Sequence, residues 1–88
     1  MVAQSLGARL RRLVRVHFPG SELKLEKATP TSKIAGALIW DGFTGKDQID
    51  RQRAVRDLVR RELSEEDQRR LSAILTLTTA ELAVMRAG

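Results

Sequence analysis

The fold is decided by residues Ile34–Val59, IAGALIWDGFTGKDQIDRQRAVRDLV. The first seven, Ile34–Trp40, carry no polar side chain, which predicts a strand buried on both faces. The run is far shorter than the ~20 apolar residues that a membrane helix needs. Two glycines in Asp41–Gly45 predict a tight turn, and Asp47 is predicted to cap a long amphipathic helix. A strand, a turn and a helix in this order predict a crossover to a later parallel strand.

The flanking sequence supplies the other elements. Glu22–Lys27 alternates polar and apolar residues, which predicts a strand paired antiparallel with Ile34–Trp40 through a short polar connection. Ser72–Thr78 alternates again and is the predicted parallel strand. Helices are predicted from about Ala3 to His17, from about Lys46 to Leu63, after Ser64, and from a cap at Thr79 to about Arg86.

The predicted order is α-β-β-α-α-β, an α+β fold with a three-stranded mixed sheet and helices on one face. The 88 residues allow one domain, 1–88, with one modest core. The apolar faces of the two long helices predict the core positions. These are Leu6, Leu10, Leu13 and Val14 on the first helix, and Ala54, Val55, Leu58 and Val59 on the second, with Arg51 and Gln52 beside them.

Composition excludes several functional classes. The chain has no cysteine, so thiolate catalysis, thiolate metal ligands and disulfides are absent. His17 is its single histidine, which leaves most metal and acid–base sites without enough ligands. We therefore predict a non-enzymatic protein without a cofactor. The lack of a secretory or spanning segment predicts a cytoplasmic protein, with an organelle transit peptide as the alternative for the Arg-rich start.

The positive charge is concentrated at the start of the chain. Residues 1–21 hold four arginines and no acid, whereas the other 67 residues hold 12 basic and 11 acidic side chains. Such asymmetry favours a polyanion or an anionic membrane surface as partner. The alternative is that these arginines form an ordinary solvated face. The candidate nucleic-acid-binding residues are Arg9, Arg11, Arg12 and Arg15, followed by Lys46, Arg53, Arg56 and Arg60. Asp57 is predicted to pair with neighbouring arginines of the second helix and so to neutralise part of this second group.

The order of elements resembles the BolA-like family, which shares its topology with type II KH domains. The resemblance rests on Phe43-x-Gly45-Lys46, on Arg51 and on Thr78-Thr79-Ala80-Glu81, and it covers about Leu6 to Leu82. It implies transcriptional regulation, or an iron–sulfur cluster shared with a monothiol glutaredoxin. The family's histidines are replaced here by Gln52 and Ser72, and residues 28–33 hold no histidine or cysteine. Amide and hydroxyl groups are poor iron ligands. The sequence therefore supports the BolA-like fold but argues against an iron–sulfur cluster.

Three single features allow two interpretations each. Gly42–Gly45 has the GxxG spacing with which KH domains clamp a nucleic-acid backbone, or it is a plain turn with Phe43 in the core. Trp40 stacks on a base or packs in the core. His17 is a ligand or a favourable cation at a helix C-terminus.

The sequence favours a small regulatory module that binds nucleic acid through its basic first helix. The alternative is a protein-interaction adaptor, for instance for a monothiol glutaredoxin-like partner, without iron–sulfur ligands of its own.

Overall fold

The computed structural model describes residues 5–28 and 33–87, so most of the predicted 28–32 connection and the helix start near Ala3 lie outside the described residues. The helices are α1 (Leu6–His17), α2 (Gln48–Glu62), α3 (Glu65–Arg69) and α4 (Thr79–Ala87). The strands are β1 (Glu22–Ala28), β2 (Lys33–Ile39) and β3 (Leu71–Leu77), and a single 3₁₀ turn at Asp41–Phe43 follows β2.

The sheet has the predicted topology. Its strand order is β1-β2-β3, with β1 antiparallel and β3 parallel to the central β2. The chain passes from β2 to β3 through α2 and α3, which is the predicted crossover. The predicted α+β class and three-stranded mixed sheet are therefore confirmed.

The core lies between one face of the sheet and the two long helices. Leu6 and Leu10 of α1 meet Val55 and Leu58 of α2 over Leu38 of β2. Phe43, from the 3₁₀ turn, belongs to the same cluster and is only 1% exposed. Ala54, however, is exposed, so its predicted place in the core is wrong. The buried face of α2 is centred on the line of Arg51, Val55 and Leu58.

The central strand is less buried than its sequence predicts. Only Leu38 and Ile39 are buried, whereas residues 34–37 are half-buried. Leu38 faces the helices, so Ala37 lies on the opposite face of the sheet. Its register partner Leu75 is 54% exposed. An alanine-rich strand is as apolar as a doubly buried one, and its sequence alone does not reveal that this face is open at Ala37 and Leu75 while Ile39 on the same face is buried.

Helix caps explain where α3 and α4 begin. Ser64 accepts a hydrogen bond from the Asp67 N–H at the start of α3. Thr78, rather than the predicted Thr79, caps α4, because its hydroxyl accepts from the Glu81 N–H while Glu81 accepts from the Thr78 N–H. This reciprocal pair is a capping box. Asp47 occupies the N-cap position of α2, but its side chain makes no capping hydrogen bond.

Candidate nucleic-acid interface

Trp40 packs in an aromatic cluster at the end of β2. Its ring meets those of Phe18 and Phe43 edge-on, each with a centroid distance of 5.1 Å. Its indole N–H donates to the Pro19 carbonyl at 2.8 Å. The packing interpretation of Trp40 is therefore confirmed. A Cβ at Gly42 would collide with this ring, which explains the first glycine of the turn.

The turn after β2 places the Phe43 side chain in the hydrophobic core. Phe43 is buried, and its N–H donates to the Trp40 carbonyl. The N–H groups of Thr44 and Lys46 donate to Asp41 and Phe43. The N–H groups of Phe43 and Thr44, the two residues between the glycines, are therefore engaged within the protein. Gly45 has φ +79°, a conformation that favours glycine.

Arg51 ties the turn, the sheet and the last helix together. Its side chain is 6% exposed, and it donates to the Lys46 carbonyl at 2.9 Å and to Glu81 Oε1 at 2.7 Å. The guanidinium also lies 5.7 Å from the Phe43 ring centroid, within cation–π distance. The hydrogen bond from Arg51 and the Thr78 N–H hold the pKa of Glu81 below its ordinary value.

Asp41 links the same turn to α4. Its Oδ1 accepts from the Thr79 N–H at 2.9 Å, and this hydrogen bond lowers the pKa of Asp41. Both carboxyl groups with shifted pKa values, Asp41 and Glu81, are thus occupied at the start of α4. Their lowered pKa values are therefore explained by hydrogen bonds that hold α4 in place.

The four arginines of α1 divide into two pairs. Arg9 forms an ion pair with the buried Asp67 at 2.7 Å, and Arg11 donates to the Leu23 carbonyl of β1 at 2.7 Å. Arg12 and Arg15 are exposed and make no ion pair with any residue in the described ranges. An exposed guanidinium without an ion-pair partner keeps its hydrogen-bond donors available for a ligand.

The second group of predicted binding residues follows the outside of α2. Arg53, Arg56 and Arg60 are all exposed, as is Lys46 before the helix. Arg53 lies 3.9 Å from Asp50, a weak surface pair. The predicted pairing of Asp57 with these arginines is wrong, since Asp57 forms no ion pair within residues 5–28 and 33–87. Arg56 and Arg60 likewise have no ion-pair partner among those residues.

His17 lies in the last turn of α1, where its Nε2 is 4.0 Å from Glu62 Oε1. In the described part of the chain, no three His, Cys, Asp or Glu residues come together as a metal site would require. None of its helices is long and apolar enough to span a bilayer.

Comparison with solved structures supports the predicted fold. BolA1 from Arabidopsis thaliana superimposes with a TM-score of 0.67 at 24% sequence identity, covering 90% of this chain and 98% of that one. This chain has a BolA-like fold. The BolA domain of SufE1 from Arabidopsis thaliana also matches, with a TM-score of 0.59, 22% identity and coverage of 91% and 99%. No family model and no curated protein matches the sequence.

The BolA-like motif residues form one structural unit. Phe43, Arg51 and Glu81 are far apart in sequence, yet the guanidinium contacts both the ring and the carboxylate. Thr78 and Glu81 supply the capping box of α4. The pattern on which the resemblance rests is therefore explained by the fold and requires no ligand.

The positions of the family's cluster ligands do not fit an iron–sulfur cluster here. The Gln52 amide donates to the Ile74 carbonyl at 3.0 Å and to Thr76 Oγ1 at 3.2 Å. It is thus engaged in holding α2 against β3, and Ser72 offers only a hydroxyl. Neither group is a preferred ligand for iron.

Sequence reasoning missed the polar layer between α2 and β3. Thr76, 2% exposed, donates to Gln48 Oε1, while Gln48 donates back to the Thr76 carbonyl. It also missed the burial of Asp67 and its ion pair with Arg9. The i, i+4 spacing of Gln48 and Gln52 was the available signal, since two amides on one helix face can satisfy the carbonyls of an edge strand.

Proposed function

We propose that this chain is a non-enzymatic binding module that contacts nucleic-acid phosphates through the exposed arginines of α1. The proposal rests mainly on one observation: Arg12 and Arg15 lie exposed on a helix that carries no acidic residue, and no acid in the described ranges pairs with them. Arginine guanidinium groups bind phosphate through charge-assisted hydrogen bonds. Contacts of this kind position the nucleic-acid backbone on the protein but do not select a base sequence.

Two of the predicted arginines take a structural role in this proposal. Arg9 neutralises the buried Asp67, and Arg11 holds α1 to β1. Phosphate contact is assigned to Arg12 and Arg15, supported by the long-range field of the other two. Lys46 and Arg53 are secondary candidates on the same electrostatic grounds.

The non-enzymatic part of the proposal has its own support. The carboxyl groups with lowered pKa values, Asp41 and Glu81, are occupied by hydrogen bonds at the α4 N-terminus. In an active site, by contrast, the groups with perturbed pKa values are available to a reacting ligand. The candidate residues are arginines, which stay protonated and suit binding better than proton transfer.

The test is the salt dependence of binding to a labelled duplex, measured by fluorescence anisotropy. Two phosphate contacts contribute about −1.8 to the slope of log K against log salt, so Arg12→Gln/Arg15→Gln should flatten that slope by about 1.8. Lys24→Gln/Lys27→Gln, which removes two exposed charges from β1, is the matched control and should flatten it less. The proposal fails if wild type shows no binding at low salt, or if the two double variants behave alike.

A protein-interaction adaptor is the second candidate function. Exposed apolar side chains favour it: Val84 is 72% and Met85 58% exposed on α4. A BolA domain within SufE1 shows that this fold also occurs as part of another protein. A monothiol glutaredoxin-like protein is the partner proposed. Its binding would persist at high salt and in Arg12→Gln/Arg15→Gln, and would weaken in Val84→Ser/Met85→Ser.

A further inference from the structure

A groove of about 390 Å³ lies between the second half of α2 and the start of β3. This volume is within the range of small-molecule sites, about 300–1,000 Å³. Its apolar part is formed by Val55, Val59, Leu71, Ala73 and Ile74, and its polar part by Gln52, Arg56, Arg60, Gln68 and Ser72. None of these described lining residues is acidic.

Arg56 and Arg60 give the groove its charge. They are four residues apart, so their side chains leave the same side of the helix. Both are exposed, and neither forms an ion pair with a residue in the described part of the chain. Like charges at this spacing destabilise a helix. An anion held between the two guanidinium groups would remove that repulsion.

The strand side of the groove is irregular at the same place. Ile34 pairs with Leu71, but Gly36 pairs with Ile74, so Ser72 and Ala73 together lie opposite Ala35. Such a β-bulge leaves a residue outside the regular ladder, and bulges are enriched next to functional sites. This one brings the exposed Ser72 hydroxyl to a groove that already holds two guanidinium groups.

Both glutamine side chains in the groove are engaged in hydrogen bonds within the protein, so the arginines are its anion-binding groups. Gln52 is bonded to Ile74 and Thr76, and Gln68 Nε2 donates to the Leu63 carbonyl at 2.9 Å. These bonds fix the groove's walls. The two guanidinium groups and the Ser72 hydroxyl form no hydrogen bond with another described residue, and all three are phosphate-binding types.

From this combination we infer that the groove binds a small organic phosphate of about mononucleotide size. The phosphate lies between Arg56 and Arg60 with Ser72 beside it, and the body of the ligand covers the apolar floor of Val55, Val59 and Ile74. Inorganic phosphate lacks that body and a nucleoside lacks the charge, so both bind more weakly. The site is separate from the α1 arginines of the proposed function. The phosphate belongs to a free mononucleotide or to the phosphorylated end of an oligonucleotide.

The experiment is a two-dimensional amide NMR titration of the full chain with AMP, adenosine, inorganic phosphate and a 5′-phosphorylated trinucleotide. AMP should shift amide resonances of residues 56–60 and 71–73, and adenosine and inorganic phosphate should bind at least about tenfold more weakly. Tighter binding of the trinucleotide than of AMP assigns the site to a chain end. Equal or weaker binding assigns it to a free nucleotide.

Variants separate this site from the proposed function. Arg56→Gln/Arg60→Gln should weaken AMP binding at least about tenfold, since each guanidinium provides a charge-assisted hydrogen bond. The matched variant Arg12→Gln/Arg15→Gln removes the same charge from α1 and should leave AMP binding within about twofold. Arg56→Lys/Arg60→Lys should retain part of it. Equal loss in both Gln variants, unchanged binding in Arg56→Gln/Arg60→Gln, or AMP shifts elsewhere would overturn the inference.

Discussion

At the scale of single residues, Arg51 is the side chain on which most separate parts of the chain depend. Its donors reach the turn before α2, the β3 carbonyl of Thr76 and the carboxylate of Glu81 in α4. Removing the Arg51 side chain leaves the acceptors of its hydrogen bonds unpaired in a largely buried site, and unpaired buried polar groups destabilise the fold. The resemblance to BolA-like proteins identified this arginine in the sequence, but its helical position beside apolar residues did not indicate its partners.

We expect Arg51→Met to lower the free energy of unfolding by about 2–4 kcal/mol, because hydrogen bonds to a charged donor are lost and their acceptors stay behind. Arg53→Met is the control, since Arg53 is exposed and its weak pair contributes little. Urea unfolding of both variants measures the difference. A loss below about 1 kcal/mol in Arg51→Met would show that the pair with Glu81 is unimportant for stability.

The same pair predicts a dependence on pH. The pKa of Glu81 is lower in the folded chain than its ordinary value, because Arg51 and the Thr78 N–H bind the ionised form. The stabilisation is therefore present above the ordinary pKa and is lost as pH falls through the folded one. Between about pH 5 and pH 3, Glu81→Gln should lose less stability than wild type.

Glu26→Gln is the matched control for this measurement, because Glu26 is an exposed carboxylate on β1. Its acid unfolding curve should follow that of wild type. If Glu81→Gln also follows wild type, the interaction of Arg51 with Glu81 does not favour the ionised carboxylate in solution.

At the scale of elements, the edges of the sheet are protected in two ways. β1 carries charged residues along its length, four of seven, which discourages pairing with another chain. β3 carries none, and its Ile74 and Thr76 carbonyls instead accept hydrogen bonds from Gln52 and Gln48 of α2. These two amide side chains thus satisfy carbonyl groups of an edge strand that has no charged residues.

Two glycines give a matched test of how closely the elements approach, since the methyl group added at either one would meet the Leu25 side chain. At Gly36 it would also overlap the carbonyl oxygen of Lys24 in the paired strand, whereas at Gly7 it would lie 3.4 Å from Leu25 Cδ1. Gly36→Ala should cost about 1–3 kcal/mol or more through overpacking. Gly7→Ala should stabilise by about 0.5–1 kcal/mol, as alanine does within helices. Equal denaturation midpoints for the two variants would contradict this placement.

At the scale of the whole molecule, the sequence predicted the topology well, because strands and helices differ in hydrophobic period and the short connections leave few arrangements. It placed Arg51 beside the core positions of α2 and gave Phe43 in the core as one of two interpretations, but it missed the openness of the sheet at Leu75. The unequal roles of the α1 arginines could not be predicted. Arg9 pairs with Asp67, which lies 58 residues beyond it along the chain, and Arg12 does not.

The proposed glutaredoxin partner provides a test at the scale of the whole molecule. We expect that adding this chain to a cluster-loaded monothiol glutaredoxin does not change the visible spectrum of the cluster, since Gln52 is bonded to β3 and Ser72 is a hydroxyl. Gln52→His/Ser72→His supplies two imidazoles in one groove and is the positive control. A spectral change that wild type produces, and that survives His17→Ala, would show that this chain ligates the cluster through other groups. Binding without a spectral change would instead support an adaptor whose contact with the glutaredoxin leaves the cluster to its partner.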